Sequence, residues 1–594
     1  MKRERTGRRR IEMLECRRLL AMIPAMVADI RPGIQSSAVI PFGSVNGQLL
    51  FSADDGIQGS GLWKTNGDPL NEMRIKGITV LDSPKSINET VYFIAFGGGY
   101  GREVWKSDGT ESGTVLIKDV CPGFESSYPA HLTPAGDTLF FSATDCSVGN
   151  ELWKSDGTDA GTSRVKDIVP GAVSSGPRYL ANVDGTLFFS ADDGVNGLEL
   201  WKSDGTEEGT VMVKNIRPGA ASSSPYQLMS VNHRLFFTAN DGSDGLELWT
   251  SDGTDAGTVL VKNIREGGSD SSSNPFWLTN VNETLYFAAN DGFEGHELWK
   301  SDGTEVGTVR VKDIWPGSYT SDLRELTNVS GVLYFSADDG VSGVELWKSD
   351  GTDAGTVNVK NLVPGIARSF PSNLTNVNGT LYFTALNAKQ ETGLCSSDGT
   401  SEGTICIGTG VGAPIPGTFR GRTAVGDTLF FSADDGIHGR ELWRLVERPL
   451  LGDADSDGDV DLDDLNSVRN HFGQDGVRFG DADGNGNVDL NDLNAVRNYF
   501  GFSVWPSSPS AEDGHVAEAL PALVDECRNF SGGVKADFTT ARTVESTTRR
   551  VSRPLDAAWD AVFARFANSS DVAFTFMGSS GNGRQPRTRL QSKQ

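Results

Sequence analysis

The chain has 594 residues, and 79 acidic against 53 basic side chains leave a formal net charge of −26. A field of that sign argues against a general nucleic-acid binder or an anionic-membrane binder, and no apolar run reaches the ~18 residues of a membrane-spanning helix. Abundant glycine (71) beside Phe (30) and Trp (12) points to short strands joined by tight turns, while six His and six Cys leave little for a His-based catalytic centre or a dense disulfide scaffold.

Residues 1–10 carry six basic side chains and one acid, followed by a short apolar run from Leu19 to about Val27. The charge pattern suits the start of an export leader, although Glu12, Glu15, Arg17 and Arg18 precede the apolar run. Leu14-Glu15-Cys16-Arg17-Arg18-Leu19-Leu20-Ala21 resembles the LEPxxLL-type N-terminal motif of exported and surface proteins, with Cys16 at the proline position. Residues 1–23 are therefore expected to be an export or sorting segment, and the protein to be extracellular or on the cell surface.

Residues 24–447 are dominated by a repeat. Tryptophans recur at 63, 105, 153, 201, 249, 299, 347 and 443, with Cys395 at the vacant register. Each unit of about 48 residues holds four short runs, as in Leu187-Phe188-Phe189-Ser190-Ala191, Leu198-Glu199-Leu200-Trp201-Lys202, Val211–Ile216 and Gln227–Val231. Asp-Gly and Pro-Gly separate the runs, because glycine supplies the positive φ of a tight hairpin turn. Four antiparallel strands per unit is the size of a propeller blade, and a lone four-stranded sheet must stack on its neighbours to cover both faces. The expected fold is all-β: a propeller of eight or nine four-stranded blades, with an open solenoid as the competing architecture.

The repeated Glu151-Leu152-Trp153-Lys154-Ser155-Asp156-Gly157-Thr158 and Glu345–Thr352 resemble the ELWxxDGT repeat of bacterial extracellular proteins. That resemblance implies a repeat fold and little about activity. The Gly-x-Glu-Leu-Trp strand also looks like the tryptophan motif of quinoprotein-type propellers, without residues that mark a quinone site. Seven registers carry the Glu (103, 151, 199, 247, 297, 345 and 441), while Gly61 and Gly393 replace it. A residue present in every unit serves packing or turns first; recognition belongs where the symmetry breaks. Residues 66–100, Gly267–Asn274 and 407–422 are the divergent places and the candidate recognition loops. His131, His233, His296 and His438 have no carboxylate or thiol at ligand spacing and read as surface or satisfied side chains. Cys121 with Cys146, and Cys395 with Cys406, share one unit each; in an exported chain either pair is a disulfide candidate, with buried free thiols the alternative.

The sharpest chemistry lies at residues 450–502. Asp453, Asp455, Asp457, Asp459, Asp461 and Asp464 occupy positions 1, 3, 5, 7, 9 and 12 of a loop with Gly458 at 6. Asp481, Asp483, Asn485, Asn487, Asp489 and Asp492 repeat the pattern 28 residues later around Gly486. Alternate oxygen ligands on a tight loop, with glycine at the sharp turn, are the pattern that encloses calcium. Leu465, Val468 and Phe472 match Leu493, Val496 and Phe500 on one face of a helix after each loop, and Gly473 and Gly501 stand at C-cap positions. This pair resembles the type I dockerin family, which implies two calcium ions, folding on metal binding and a cohesin-like or surface protein partner. Leu462-Asp463 and Leu490-Asn491 stand where that family commonly has Ser/Thr for partner recognition.

Residues 503–594 form a low-complexity tail expected to be largely disordered, with one helical stretch at Leu555–Phe566. Together these readings describe an exported calcium-binding propeller that acts as a binding, adhesion or scaffold component, its propeller taking a glycan or protein ligand. The alternative is a polysaccharide-degrading enzyme of the O-glycosyl hydrolase type, or a subunit of a polysaccharide-degrading complex. That chemistry needs two differentiated carboxylates, and the repeat singles out none.

Overall fold

The computed structural model describes residues 20–68, 71–268, 271–387, 392–401, 403–406, 419–449 and 467–468. The chain divides into two compact units, 1–513 and 514–594, and every described residue belongs to the first. Among the described residues there are nine four-stranded antiparallel sheets, which settles the blade number at nine and replaces the open solenoid with a closed ring.

The fourth blade shows the plan. Arg178–Val183, Thr186–Asp192, Leu198–Ser203 and Val211–Lys214 pair in sequence order from the centre outward. The first strand of each blade neighbours the first strands of the adjacent blades, so nine inner strands surround a central channel. The turn between first and second strands and that between third and fourth lie on one face. The second-to-third hairpin and the connection to the next blade lie on the other. The ninth blade is composite: Arg420–Val425, Thr428–Asp434 and Arg440–Pro449 come from the end of the propeller, and Leu20–Ala28 supplies the outer strand. The short apolar run near the N-terminus thus contributes the strand that closes the ring, pairing Met26 with Trp443.

The blades stack through aromatic layers. Phe51, Phe93, Phe141, Phe189, Phe237, Phe287, Phe335, Phe383 and Phe431 are almost completely buried, one per blade. Each sits opposite the recurrent Trp, or Cys395 in the eighth blade, across the second and third strands. One cluster shows the interdigitation: Phe140, Leu152, Val165 and Ile168 of the third blade pack on Leu187, Phe189, Ala191 and Trp201 of the fourth. Losing one such ring costs about 3–5 kcal/mol in a close-packed interior.

The recurrent Glu is buried, with a role beyond its own strand. Glu151 accepts hydrogen bonds from the Ile168 amide (3.0 Å), the Ser175 amide (2.9 Å) and the Ser175 hydroxyl (2.6 Å). Ser175 lies in the connection to the fourth blade, and its carbonyl accepts from the Asp192 amide there (3.0 Å). The carboxylate therefore clasps the connection and the serine hands it to the next blade. The same clasp joins Glu103 to Ser127, Glu199 to Ser223, Glu247 to Ser273 and Glu345 to Ser369. At the closure Glu441 accepts from the Ile30 and Ser37 amides. The two blades without Glu use other devices. In the first, Arg74 donates to the Gln58, Gly59 and Ser60 carbonyls and fills the space beside Gly61. In the eighth, where Gly393 and Cys395 replace Glu and Trp, a Cys395–Cys406 disulfide crosses the third and fourth strands. A second disulfide, Cys121–Cys146, ties the connection into the third blade to that blade's hairpin.

On the opposite face the Ser-Asp-Gly-Thr turns are self-contained. Asp156 Oδ1 accepts from the Thr158 amide and hydroxyl (2.8 and 2.7 Å), and Ser155 bonds Thr162 (2.7 Å). Gly157 sits at φ +87°, where a side chain is strained. Lys154 donates to the Gly205 carbonyl of the next blade's turn (2.7 Å), so this face is stitched as well.

Burial pushes the recurrent Glu carboxyls up, to about 8 at Glu297, which accepts from the Ile314 amide, and to about 7 at Glu247, Glu345 and Glu441. Their folded pKa exceeds the ordinary 4.5, so their contribution is complete below that value and is lost as pH rises through 7 to 8. The turn aspartates Asp108, Asp156, Asp204, Asp252, Asp302 and Asp350 run the other way, held low by the threonine hydroxyl and amide. Their contribution is present above the ordinary 3.8 and lost as pH falls through the depressed folded values. The unfolding midpoint should therefore peak at mildly acidic pH, near 5, and decline toward pH 8–9. Glu297→Gln should flatten part of that decline; a midpoint that rises steadily from pH 5 to 8 would contradict the buried clasp.

Candidate functional site

The structure offers a site at the centre of the disc, on the face that carries the hairpins and the connections. The inner strands are Ile40–Val45, Thr79–Ile87, Ala130–Ala135, Arg178–Val183, Tyr226–Val231, Phe276–Val281, Arg324–Val329, Ser372–Val377 and Arg420–Val425. Each breaks register with its second strand in its first half: after the first residue in blades three to nine, after Pro41 in the first blade, and at Val80 and Asp82 in the second. In the fourth blade the break falls between Arg178 and Ala181. A bulge of this kind twists a strand and re-aims the extra side chain.

The residue that follows the start of this break in the blade register is Pro41, Ser83, His131, Tyr179, Gln227, Trp277, Glu325, Asn373 or Gly421; Pro41 itself still pairs with Phe51. Nine blades that agree at almost every core position differ at this one in every case. His131, Tyr179, Gln227, Trp277, Glu325 and Asn373 all hold φ between +53° and +58°. That region costs an L-residue roughly 1–2 kcal/mol, yet it is occupied by a Tyr and a Trp, each 43 % exposed.

Neighbours in the ring touch. The His131 and Tyr179 rings lie 6.3 Å apart, as do those of Tyr179 and Tyr226, both pairs tilted rather than stacked. Phe276 packs edge-on against His296 at 5.3 Å. Enclosure at the mouth, and then the Arg178 guanidinium, push the His131 imidazole below its ordinary value. Farther round, the Leu374 amide donates to Glu325 (2.9 Å) and Arg422 donates to the Asn373 carbonyl (2.7 Å). Burial pushes Arg422 down to about 10, against a pull upward from Glu325. Between the ninth and first blades lies a cleft of about 430 Å³ lined by Ser36, Ala38, Val39, Ile40, Gly421, Ser432 and Arg440. The ring is thus lopsided: large side chains over blades three to seven, and small ones flanking a cleft at the closure.

Deeper in the channel the inner strands are braced. Asn280, Asn328 and Asn376 donate side-chain N–H groups to the Ser230, Asn280 and Asn328 carbonyls of the preceding blades (3.2, 3.0 and 3.4 Å). The face around the mouth also carries bare apolar tips: Ile34, Ile57, Phe124, Val195, Phe293 and Ile366 are each at least 70 % exposed. On the opposite face, among the described residues, only Val306 reaches that exposure among large apolar side chains.

The residues expected from sequence to bind calcium, Asp453, Asp455, Asp457, Asp459, Asp461, Asp464, Asp481, Asp483, Asn485, Asn487, Asp489 and Asp492, lie outside the described residues, as do 407–418 of one candidate loop. From the expected helix only Ser467 and Val468 are described, both helical and buried. Residues 66–100 prove to be mostly strand, from Met73–Lys76 through Thr79–Ile87 to Thr90–Gly97. Among the described residues no group of three metal-ligating side chains forms. His233 pairs with Asp184 of the preceding blade at 2.9 Å and His438 with Asp435 at 2.7 Å. The first of these carboxylates is 49 residues away, beyond any local spacing rule. The ring lies within strands of constant length, so loop divergence does not reveal it; the signal in the sequence is the most variable register of the nine superposed units.

No protein-family model and no curated protein sequence matches the chain. Similar solved structures include puromycin hydrolase, at 14% identity and TM-score 0.30 over 60% of this chain and 58% of that one. Prolyl oligopeptidase B from Galerina marginata matches at 10% identity and TM-score 0.32 over 59% and 54%. The β-propeller domain of the Trilobed protease from Pyrococcus furiosus matches at 12% identity and TM-score 0.29 over 56% and 98%. The chain spans little more than half the length of the first two, and these likenesses concern the fold alone.

Left-handed strain at the ring has a measurable consequence. At Tyr179 and Trp277 a Gly variant should be more stable than the Ala variant by roughly 1 kcal/mol, the reverse of the order in an ordinary strand. Denaturant unfolding of the two pairs checks this, and Ala at least as stable as Gly would contradict the bulge geometry.

Proposed function

We propose that this chain is an exported, calcium-binding β-propeller that acts as a binding, adhesion or scaffold component. Its channel mouth takes a glycan or protein ligand, and its C-terminal paired-loop module holds two calcium ions and docks on a cohesin-like or surface partner. The observation that carries the binding role is that nine different residues occupy one register of a repeated scaffold. A position that serves packing converges on one residue type, as the buried Phe and Trp do; a position that serves an asymmetric ligand diverges. Export is supported by the two disulfides, which persist in oxidising compartments. Binding is favoured over hydrolysis because the ring position offers a single carboxylate, Glu325, already engaged by the Leu374 amide, where glycoside hydrolysis uses two.

Two experiments on the full chain test this reading. On a glycan and protein array, retention should fall at least about tenfold in Tyr179→Ala and Trp277→Ala, the loss expected for buried aromatic contacts; unchanged retention would remove the mouth from the ligand site. In calorimetry the chain should take up two calcium ions with a gain in helical signal by circular dichroism, and Asp453→Ala with Asp481→Ala should abolish both. No uptake at millimolar calcium would sink the paired-loop assignment.

A further inference from the structure

Basic side chains stand beside this ring. Of the described inner-strand side chains Lys85, Arg178, Arg324 and Arg422 are basic and Glu325 is acidic. Arg324 is paired with Asp322 at 2.9 Å and the hairpins of the same face carry acids such as Asp55, Asp193 and Asp339, so the positive charge next to the ring residues rests on Arg178 and Arg422. Arg178 stands next to the ring residue Tyr179 and is exposed. Arg422 is largely enclosed between the ninth and eighth blades; one guanidinium nitrogen is spent on the Asn373 carbonyl, and its Nε has no hydrogen-bond partner. That Nε is buried, so ligand contact at Arg422 falls to the guanidinium Nη2; the neighbouring Gly421 lines the cleft at the closure.

We infer that the mouth is built for an anionic oligosaccharide, with Arg178 and Arg422 meeting its carboxylate or sulfate groups and Tyr179, Tyr226 and Trp277 stacking on its sugar rings. This rests on the mouth being the ligand site. The aromatic rings there are tilted to one another by 42° and 56°, not stacked face to face, which leaves ring faces free for apolar sugar faces. Gln227 and Asn373 add amides whose N–H groups already donate to the Pro275 carbonyl and to the Ser372 and Thr384 hydroxyls, so they offer a sugar hydroxyl their carbonyl oxygens. An acidic peptide is the less favoured occupant. Peptides are commonly captured by pairing with a free strand edge, and every inner strand has its ladder broken by a bulge at the level of the mouth. A carbohydrate needs no such ladder.

Calorimetry of the full chain in calcium buffer distinguishes the cases, using oligogalacturonate and its methyl ester, a sulfated oligosaccharide and its desulfated form, and a polyglutamate peptide. At least one charged form should bind about tenfold or more tighter than its neutral counterpart, the worth of one charge-assisted contact, and should weaken as salt rises. Arg178→Gln, an exposed substitution, should erase most of that preference, and Arg422→Gln should do the same with an unchanged melting temperature as the control for folding. Equal affinity for charged and neutral forms would overturn the inference and leave the glycan-binding reading standing. Polyglutamate binding as tightly as the sugars would overturn it in favour of a peptide. Binding of none of these probes would overturn the inference; loss of all array retention as well would take the parent reading with it.

Discussion

The structure depends on one repeated interaction, the buried glutamate that clasps the connection between blades. A propeller blade is a sheet with two apolar faces, and aromatic stacking holds neighbours together without fixing how the chain passes from one to the next. The clasp does that. Glu151 binds Ser175 by amide and hydroxyl, and the Ser175 carbonyl receives the Asp192 amide of the following blade. Because the serine lies just before the inner strand, the same bond sets where that strand begins. At the closure, Glu441 grips Ile30 and Ser37 across more than 400 residues, so the composite ninth blade is joined as the other Glu-bearing blades are. A carboxylate is suited to this because it accepts several hydrogen bonds at once, and burial is tolerable only because those donors are fixed in place.

With the connections held, the first bulge of each inner strand becomes a position where side chains can vary freely. It contributes little to the core, projects at the channel mouth, and tolerates Tyr, Trp, Glu or Gly in the same backbone conformation. The strain of six left-handed residues is borne by a scaffold that over-determines it, through the clasps above and the Asn280–Asn328–Asn376 ladder below. Constant scaffold and variable mouth are therefore two results of one division of labour. The arc of large side chains in blades three to seven faces a cleft bordered by small ones, so a ring of repeated units presents an asymmetric site.

Much of the architecture was legible in the sequence. The 48-residue period, the Trp and Phe registers and the Asp-Gly turns each have a local physical cause, and each appears where it was expected. What local reading could not supply was anything joined over long separations. Whether Leu20–Ala28 would pair with Arg440–Pro449, and so whether eight or nine blades close, depends on strands 400 residues apart. The His233–Asp184 pair is likewise a fact of blade packing, whereas both disulfides join the cysteines that the sequence had already paired as candidates. The recurrent Glu read correctly as structural, but its serine partner was invisible because serine is common in every connection. The mouth is hidden for a different reason. Divergent loops show as changes in length, whereas the ring varies within strands of constant length, and residues 66–100 owe their apparent divergence to altered strands rather than to a loop.

A ligand held at the variable ring, and nowhere else on the disc, leaves a footprint that hydrogen exchange resolved by segment detects directly, with and without a saturating array-selected ligand. Added protection is expected in the first few residues of the inner strands, at 130–133, 178–181, 226–229 and 276–279, and none in the Ser-Asp-Gly-Thr turns on the opposite face. Protection confined to those turns or to the outer strands, with the ring segments unchanged, would contradict it.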